Sequence, residues 1–162
     1  AKWFNHKYLV EKSDADLAVM LNELLAKDGI SYDMKKLEKI CHLLKERANF
    51  VADIYNSSQY FYKAPQSYDE KGVKKFWKEG TPALMQELVG VLENVQDFTS
   101  PNTEEAVREW VTAKEMGFGK VMSPFRLAII GAADGPSLFD IIEILGKEET
   151  LTRLHRIIDI LR

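Results

Sequence analysis

The sequence predicts an all-α fold, and three observations carry that prediction. Apolar residues recur at helical spacing through most of the 162 positions. Capping residues and Pro or Gly punctuation bracket the periodic stretches. No stretch sustains period-two alternation between turn signals, so no sheet is expected.

Taken in order, Ser13 reads as an N-cap, with Asp14 and Asp16 in the first turn and Leu17, Met20, Leu21, Leu24 and Leu25 as the apolar stripe. Asp28-Gly29 ends that helix. A longer helix is predicted from about Tyr32 to Tyr55, through Leu37, Ile40, Cys41, Leu44, Ala48, Val51 and Ile54. Asn56-Ser57-Ser58 interrupts it, and Tyr60, Phe61 and Tyr62 follow. The stretch from Ala64 to Glu70 is the best linker. It divides the chain into helical domains over residues 1–65 and 66–162. A short helix then runs through Phe76 and Trp77 to Gly80. Thr81-Pro82 reads as an N-cap followed by an N1 proline, opening a helix to about Val95. The next follows Pro101, with Thr103 as cap and Val107, Trp110, Val111 and Met116 inward. Gly117 and Gly119 are expected to supply positive-φ positions at its end. Ser123-Pro124 is expected to start a short helix ending at Gly131, and Pro136 another ending at Gly146. A last amphipathic helix carries Leu151, Leu154, Ile157, Ile158 and Leu161.

Composition narrows the function. A hydrophobic content of 46% suits one compact domain or two small ones. No apolar run approaches the roughly 20 residues that a membrane helix needs, and no basic-then-apolar leader supports secretion. The chain opens without an initiator Met, which reads as a piece or a processed product. Cys41 has no second cysteine to pair with, which fits a reducing cytoplasm. The net charge of −3 runs against a dedicated nucleic-acid binder, although local distribution matters more. Lys71, Lys74, Lys75 and Lys78 form one basic run, either a phosphate contact or a solvated helix face. Arg108, Lys114, Lys120 and Arg126 recur later. His6, His42 and His155 lie apart, without metal-ligand spacing. There is no phosphate-binding loop, and Ser123 has no evident base. Glu104-Glu105 are explained by a helix dipole. On residues alone, catalysis by this chain is not expected.

Four stretches, AKWFNHKYL at the start, LKERANF at 44–50, GKVMSPFRLAIIG at 119–131 and GPSLFDIIEILGKEETLTRL at 135–154, resemble the C-terminal part of bacterial glutamyl-tRNA synthetase. The last two are specific as a pair. Trp3-Phe4-Asn5 looks like the segment leaving the catalytic half of that enzyme. The HIGH-type and KMSKS-type ATP signatures do not occur, so the resemblance is to the tRNA-binding portion without the active site. It implies a helical connecting domain over 1–65 and an anticodon-binding helical domain over 66–162. The parent would be a class I ligase that joins glutamate to its tRNA with ATP and Mg²⁺, on residues outside this chain. The expected partner is the anticodon loop of tRNA-Glu, bound by a cytoplasmic monomer.

Carried onto this sequence, the resemblance puts Arg126, Gly135, Pro136 and Leu138 at the anticodon. Arg126 would donate to base or phosphate oxygens, N–H groups at a Pro136 helix start would approach the nucleotides, and Leu138 with Phe139 would supply an apolar wall. The plainer readings are a surface Arg126 paired with Asp140 or Glu143, and Phe139 in the core. Arg47 matches a position that inspects the third anticodon base. An arginine suits the acceptors of cytosine and meets the donors of guanine with repulsion, a difference of roughly 1–3 kcal/mol. Its plainer reading is a solvated charge on a long helix, beside Asp53. Arg108 and Ser123 match further contact positions, and Asp134 is expected to point away from phosphate or cap a helix. Two rival classes remain. One is a helical protein-interaction module with a groove at Tyr60, Phe61 and Tyr62. The other is a glutaminyl-type tail, disfavoured because that enzyme's anticodon region is built of β-barrels.

Overall fold

A computed structural model describes residues 2–162, with side chains from Asn5 onward. The side chains of Trp3 and Phe4, part of the first motif, lie outside the described residues. Eleven α-helices and one 3-10 turn make up the regular structure, and no strand occurs among the described residues. The chain divides into two compact units, Ala1–Lys63 and Ala64–Arg162.

The N-terminal unit holds α1 (Lys2–Glu11), α2 (Asp14–Lys27), α3 (Met34–Leu44), the 3-10 turn Lys45–Arg47, α4 (Val51–Ser57) and α5 (Gln59–Tyr62). Helix α2 starts as its sequence demands: the Asp16 N–H donates to Ser13 Oγ at 3.1 Å. Its stripe Leu17, Ala18, Leu21 and Leu25 is fully buried and packs on α3 and α4. Asp14, at the start of α2, accepts from Lys45 Nζ at 2.9 Å and approaches His42 Nδ1 at 3.0 Å.

The long helix expected over residues 32–55 is broken. Asp33 caps α3 by accepting from the Lys36 N–H, and the chain leaves helical geometry at Ala48 (φ −119°, ψ 151°). The cause is Asp53, whose carboxylate accepts from the N–H groups of both Asn49 (2.9 Å) and Phe50 (3.0 Å). A side chain that satisfies those donors makes a helix restart as favourable as continuation. The aromatic trio is packed: Phe61 is 3% exposed. Tyr62 bonds Ser58 through its hydroxyl and meets Tyr32 edge-on. The groove expected of a protein-interaction module is therefore filled by its own side chains.

The C-terminal unit holds α6 (Glu70–Phe76), α7 (Thr81–Glu93), α8 (Ser100–Ala113), α9 (Phe118–Ile130), α10 (Leu138–Leu145) and α11 (Lys147–Ile160). Helices α7, α9 and α11 pack together around Met85, Leu88, Leu92, Phe125, Leu127, Leu154 and Ile157. The Thr81 hydroxyl accepts from the Lys78 N–H upstream instead of capping α7. Thr99 caps α8, accepting from the Asn102 N–H. Thr103, expected as the cap, is buried and donates to the Thr99 carbonyl at 2.9 Å. The positive φ after α8 falls on Glu115 (54°), while Gly117 has φ −72°. Glu115 N–H bonds the Thr112 carbonyl and Met116 N–H the Val111 carbonyl, a Schellman closure built on a non-glycine residue.

Candidate nucleic-acid interface

The candidate residues centre on α9, whose start differs from expectation. Ser123-Pro124 opens no helix; the helix begins at Phe118, and Pro124 is inside it. A proline there removes the bond that its N–H would give the Lys120 carbonyl, but Lys120 is exposed, so water can take that role. Apolar burial holds the helix through the defect: Val121, Pro124, Phe125, Leu127, Ala128 and Ile129 are all buried.

The burial pattern leaves one accessible stripe. Gly119, Met122, Ser123, Arg126 and Ile130 are partly or fully exposed. Ser123 and Arg126, three residues apart, are neighbours on that stripe. The Ser123 hydroxyl makes no hydrogen bond among the described residues. Arg126 is half-buried, and its Nη1 donates to the Pro136 carbonyl at 2.6 Å. The loop after α9 thus folds back over an arginine about one turn before the helix end.

Two glycines make that return possible. Gly131 ends α9 at φ 77°, and a Cβ there would lie 3.0 Å from both Pro65 Cβ and the Ser67 carbonyl oxygen. The Gly131 carbonyl accepts from the Asp69 N–H at 2.9 Å. Gly135 permits close approach: a Cβ would stand 3.0 Å from Ile130 Cδ1 and 3.3 Å from Arg126 Nη1. Arg126, Gly135 and Pro136 are therefore one assembly, joined by contact.

Leu138 does not belong to an exposed wall. It is 1% exposed and Phe139 4%. Helix α10 is covered on most sides, with Ile141, Ile142, Ile144 and Leu145 also buried, so both neighbours go into the core. Pro136 likewise starts no helix; α10 begins at Leu138, capped by Ser137, whose Oγ accepts from the Asp140 N–H. What Pro136 contributes is the carbonyl that holds Arg126. Asp134 is exposed and caps nothing.

Arg108 is brought to the other end of the stripe. Its guanidinium lies 4.1 Å over the Phe118 ring centroid, and Phe118 in turn stacks on Phe139, centroids 6.3 Å apart. Its Nε donates to Glu104 Oε2 at 2.8 Å, with 56% of the arginine side chain exposed. An ion pair this open adds little stability, but it fixes the plane of a cation stacked on an aromatic face. Phe118 and Arg126, eight residues apart, are ~12 Å apart along the axis. Arg47 lies in the N-terminal unit, exposed, on the 3-10 turn and not on a long helix. Asp53, its suggested neighbour, is committed to Asn49 and Phe50.

The sequence reading missed Arg153. Only 2% of its side chain is exposed; Nε donates to Glu149 Oε2 and Nη1 to the Ile129 carbonyl, each at 2.7 Å. It sits at the C-terminal end of α9, where the last carbonyls lack helical donors and the dipole is negative. The spacing Glu149 to Arg153, i to i+4, is the signal that could have found it. For Phe118 beneath Arg108 the sequence offered no comparable signal.

Comparison with known proteins follows the same lines. A family model described as "Anticodon binding domain" matches residues 16–158. A protein named glutamate–tRNA ligase from Flavobacterium johnsoniae is 52% identical over 160 residues, covering 99% of this chain and 32% of its own length. One of the same name from Flavobacterium psychrophilum is 50% identical over 157 residues, covering 97% and 31%. A crystal structure of a glutamate tRNA ligase from Elizabethkingia meningosepticum, in complex with its amino acid, superposes with a TM-score of 0.95 at 40% identity, covering 99% of this chain and 32% of that one. The chain thus spans about a third of the length of these relatives.

Proposed function

The chain belongs to the anticodon-binding domain family, and from that premise we propose that it is the tRNA-reading part of a cytoplasmic glutamate–tRNA ligase, with residues 1–65 as connecting domain and 66–162 as anticodon-binding domain. Its partner in this reading is tRNA-Glu, bound by a monomer at the anticodon loop. The names of the relatives support the choice of amino acid.

The observation that carries the proposal is the fixed guanidinium of Arg126. A base lifted out of an anticodon loop offers acceptors on its edge and a flat face. A guanidinium has five N–H donors in a rigid fork, and the Pro136 carbonyl accepts from its Nη1. The bond to Pro136 sets the plane of the fork before any RNA arrives, so less side-chain freedom is lost on binding. Ser123 adds a hydroxyl one turn away on the same stripe. Arg108, flat on Phe118, gives a stacking surface at the other end, although Glu104, Glu105 and Glu109 around it repel phosphate. That pattern favours a base face there over a backbone contact. Arg47 serves as the reader of the third anticodon base.

ATP and Mg²⁺ belong, in this reading, to the remaining two-thirds of the parent. No group of three or more His, Cys, Asp or Glu side chains among the described residues is arranged to hold a metal ion. No helix among them is long and apolar enough to cross a membrane.

The test is a filter-binding titration of the chain with tRNA-Glu transcript. Arg126→Ala is expected to weaken binding by about 1–3 kcal/mol, and Lys75→Ala by clearly less. Equal effects would remove the specific role of Arg126, and absence of salt-sensitive binding would remove the RNA reading altogether.

A further inference from the structure

Helix α6 carries a feature that base reading does not use. Lys71, Lys74 and Lys75 are exposed and fall within about 100° of arc on one side of the helix. Lys78, beyond the helix end, folds back so that its Nζ donates to the Lys74 carbonyl at 2.9 Å. Four ammonium groups are thereby gathered on one short element of a chain whose net charge is −3. None of the four forms an ion pair with a carboxylate among the described residues. The acidic residues nearby are Asp69, Glu70, Glu79 and Asp134. Asp69 is spent on capping, accepting from the Gly72 N–H at 2.8 Å.

The position of α6 matters as much as its charge. Its inward face is Gly72, where a Cβ would come 3.0 Å from Leu127 Cδ2 of α9 and 3.6 Å from Ala133 Cβ. Leu127 is the residue next to Arg126, and Ala133 lies in the loop that holds Arg126. Helix α6 thus packs on α9 and on the loop after it, the two segments that carry the Arg126 assembly, while its lysines stay exposed.

We propose that the α6 lysine ridge is a second, sequence-independent contact for the phosphodiester backbone of RNA bound at Arg126. This rests on the reading of the Arg126 assembly given above. Lysines act here as mobile point charges that neutralise phosphate and release counterions, without reading bases. A strand bound at Arg126 on α9 would run beside the helix that packs on α9. The ridge supplies affinity and the Arg126 assembly supplies selectivity.

The experiment compares the wild-type chain with the variant Lys71→Gln, Lys74→Gln, Lys75→Gln. Each is titrated with tRNA-Glu transcript and with an unrelated single-stranded RNA of equal length, between 50 and 200 mM salt. Three lost phosphate contacts should make the slope of log K against log salt shallower by about 2 for both RNAs. Over that salt range the variant should therefore lose about 20-fold less affinity than wild type. A control, Lys27→Gln, Lys35→Gln, Lys39→Gln, removes the same charge from the N-terminal unit and should keep the wild-type slope. Circular dichroism should be unchanged in both. If wild type binds RNA and the α6 variant keeps its slope, the ridge is wrong and the Arg126 reading stands. The ridge is equally refuted if the control changes the slope as much. Should poly-glutamate compete as well as RNA of equal charge, the RNA assignment of the ridge fails. If wild type binds no RNA, both readings fall together.

Discussion

Gly135→Ala separates a role in reading RNA from a role in holding the fold. Gly135 is not at a positive φ, so the substitution adds no backbone strain. What the new methyl meets is the far end of two side chains, Ile130 Cδ1 at 3.0 Å and Arg126 Nη1 at 3.3 Å. Ordinary carbon contacts lie near 3.5–4.0 Å, so each must retreat by roughly half an ångström. Ile130 is half-buried and can rotate, which limits the stability cost to under about 1 kcal/mol. The arginine has less freedom. Its bond to Pro136 is 2.6 Å long, and the same retreat stretches it to the outer edge of hydrogen-bond range. Losing that fixed geometry should weaken binding of tRNA-Glu by about 1 kcal/mol, roughly fivefold. The assay is a double-mutant cycle with Arg126→Ala, read by filter binding, with thermal melts alongside. If Gly135 acts through Arg126, the fivefold loss vanishes in the Arg126→Ala background. A loss that persists undiminished there, or a melt lowered by many degrees, would refute the argument.

Other consequences concern stability. Gly131→Ala forces an L residue to φ 77° and a Cβ to 3.0 Å from a backbone oxygen; it should cost about 2 kcal/mol or more in urea unfolding. Glu115→Gly relieves a left-handed glutamate (φ 54°) and should stabilise by about 1 kcal/mol in the same experiment. Arg153→Met leaves the Ile129 carbonyl without its donor and should destabilise by about 1–3 kcal/mol. Burial raises the Cys41 thiol from 9.0 to about 12 and the Tyr62 phenol from 10.0 to about 12. Both keep their proton in the fold and lose it in the unfolded chain. Stability is therefore full below about pH 9 and declines as pH rises towards 12, which urea midpoints taken at successive alkaline pH values would record.

Helices and the principal core were legible because they depend on near-neighbour spacing. Leu17, Leu21 and Leu25 repeat every turn, and all are buried. Boundaries were legible where one residue decides them, as at Ser13, Gly131 and Gly146. They were lost where a competing donor or acceptor decides. Asp53 reaches back to Asn49 and Phe50, and Thr81 reaches back to Lys78. In each case the side chain has two possible partners of similar worth, and only tertiary packing selects between them.

The proline at 124 shows where this limit bears on the candidate site. Local chemistry reads Ser-Pro as a helix start, because an internal proline costs about 3 kcal/mol. That cost is set against what the turn before the proline packs, Val121 fully buried and Phe118 stacked on Phe139, burial worth about 1.5–3 kcal/mol per large apolar side chain, so the longer helix wins. The consequence reaches Arg126. Had the helix begun at Ser123, the arginine would lie in a first turn, where the dipole is positive and disfavours a cation. Placed eight residues after Phe118 instead, it stands beyond the first turn, where the loop carbonyl of Pro136 can accept from it. The same packing that overrides the proline therefore makes a fixed guanidinium on this surface affordable in electrostatic terms.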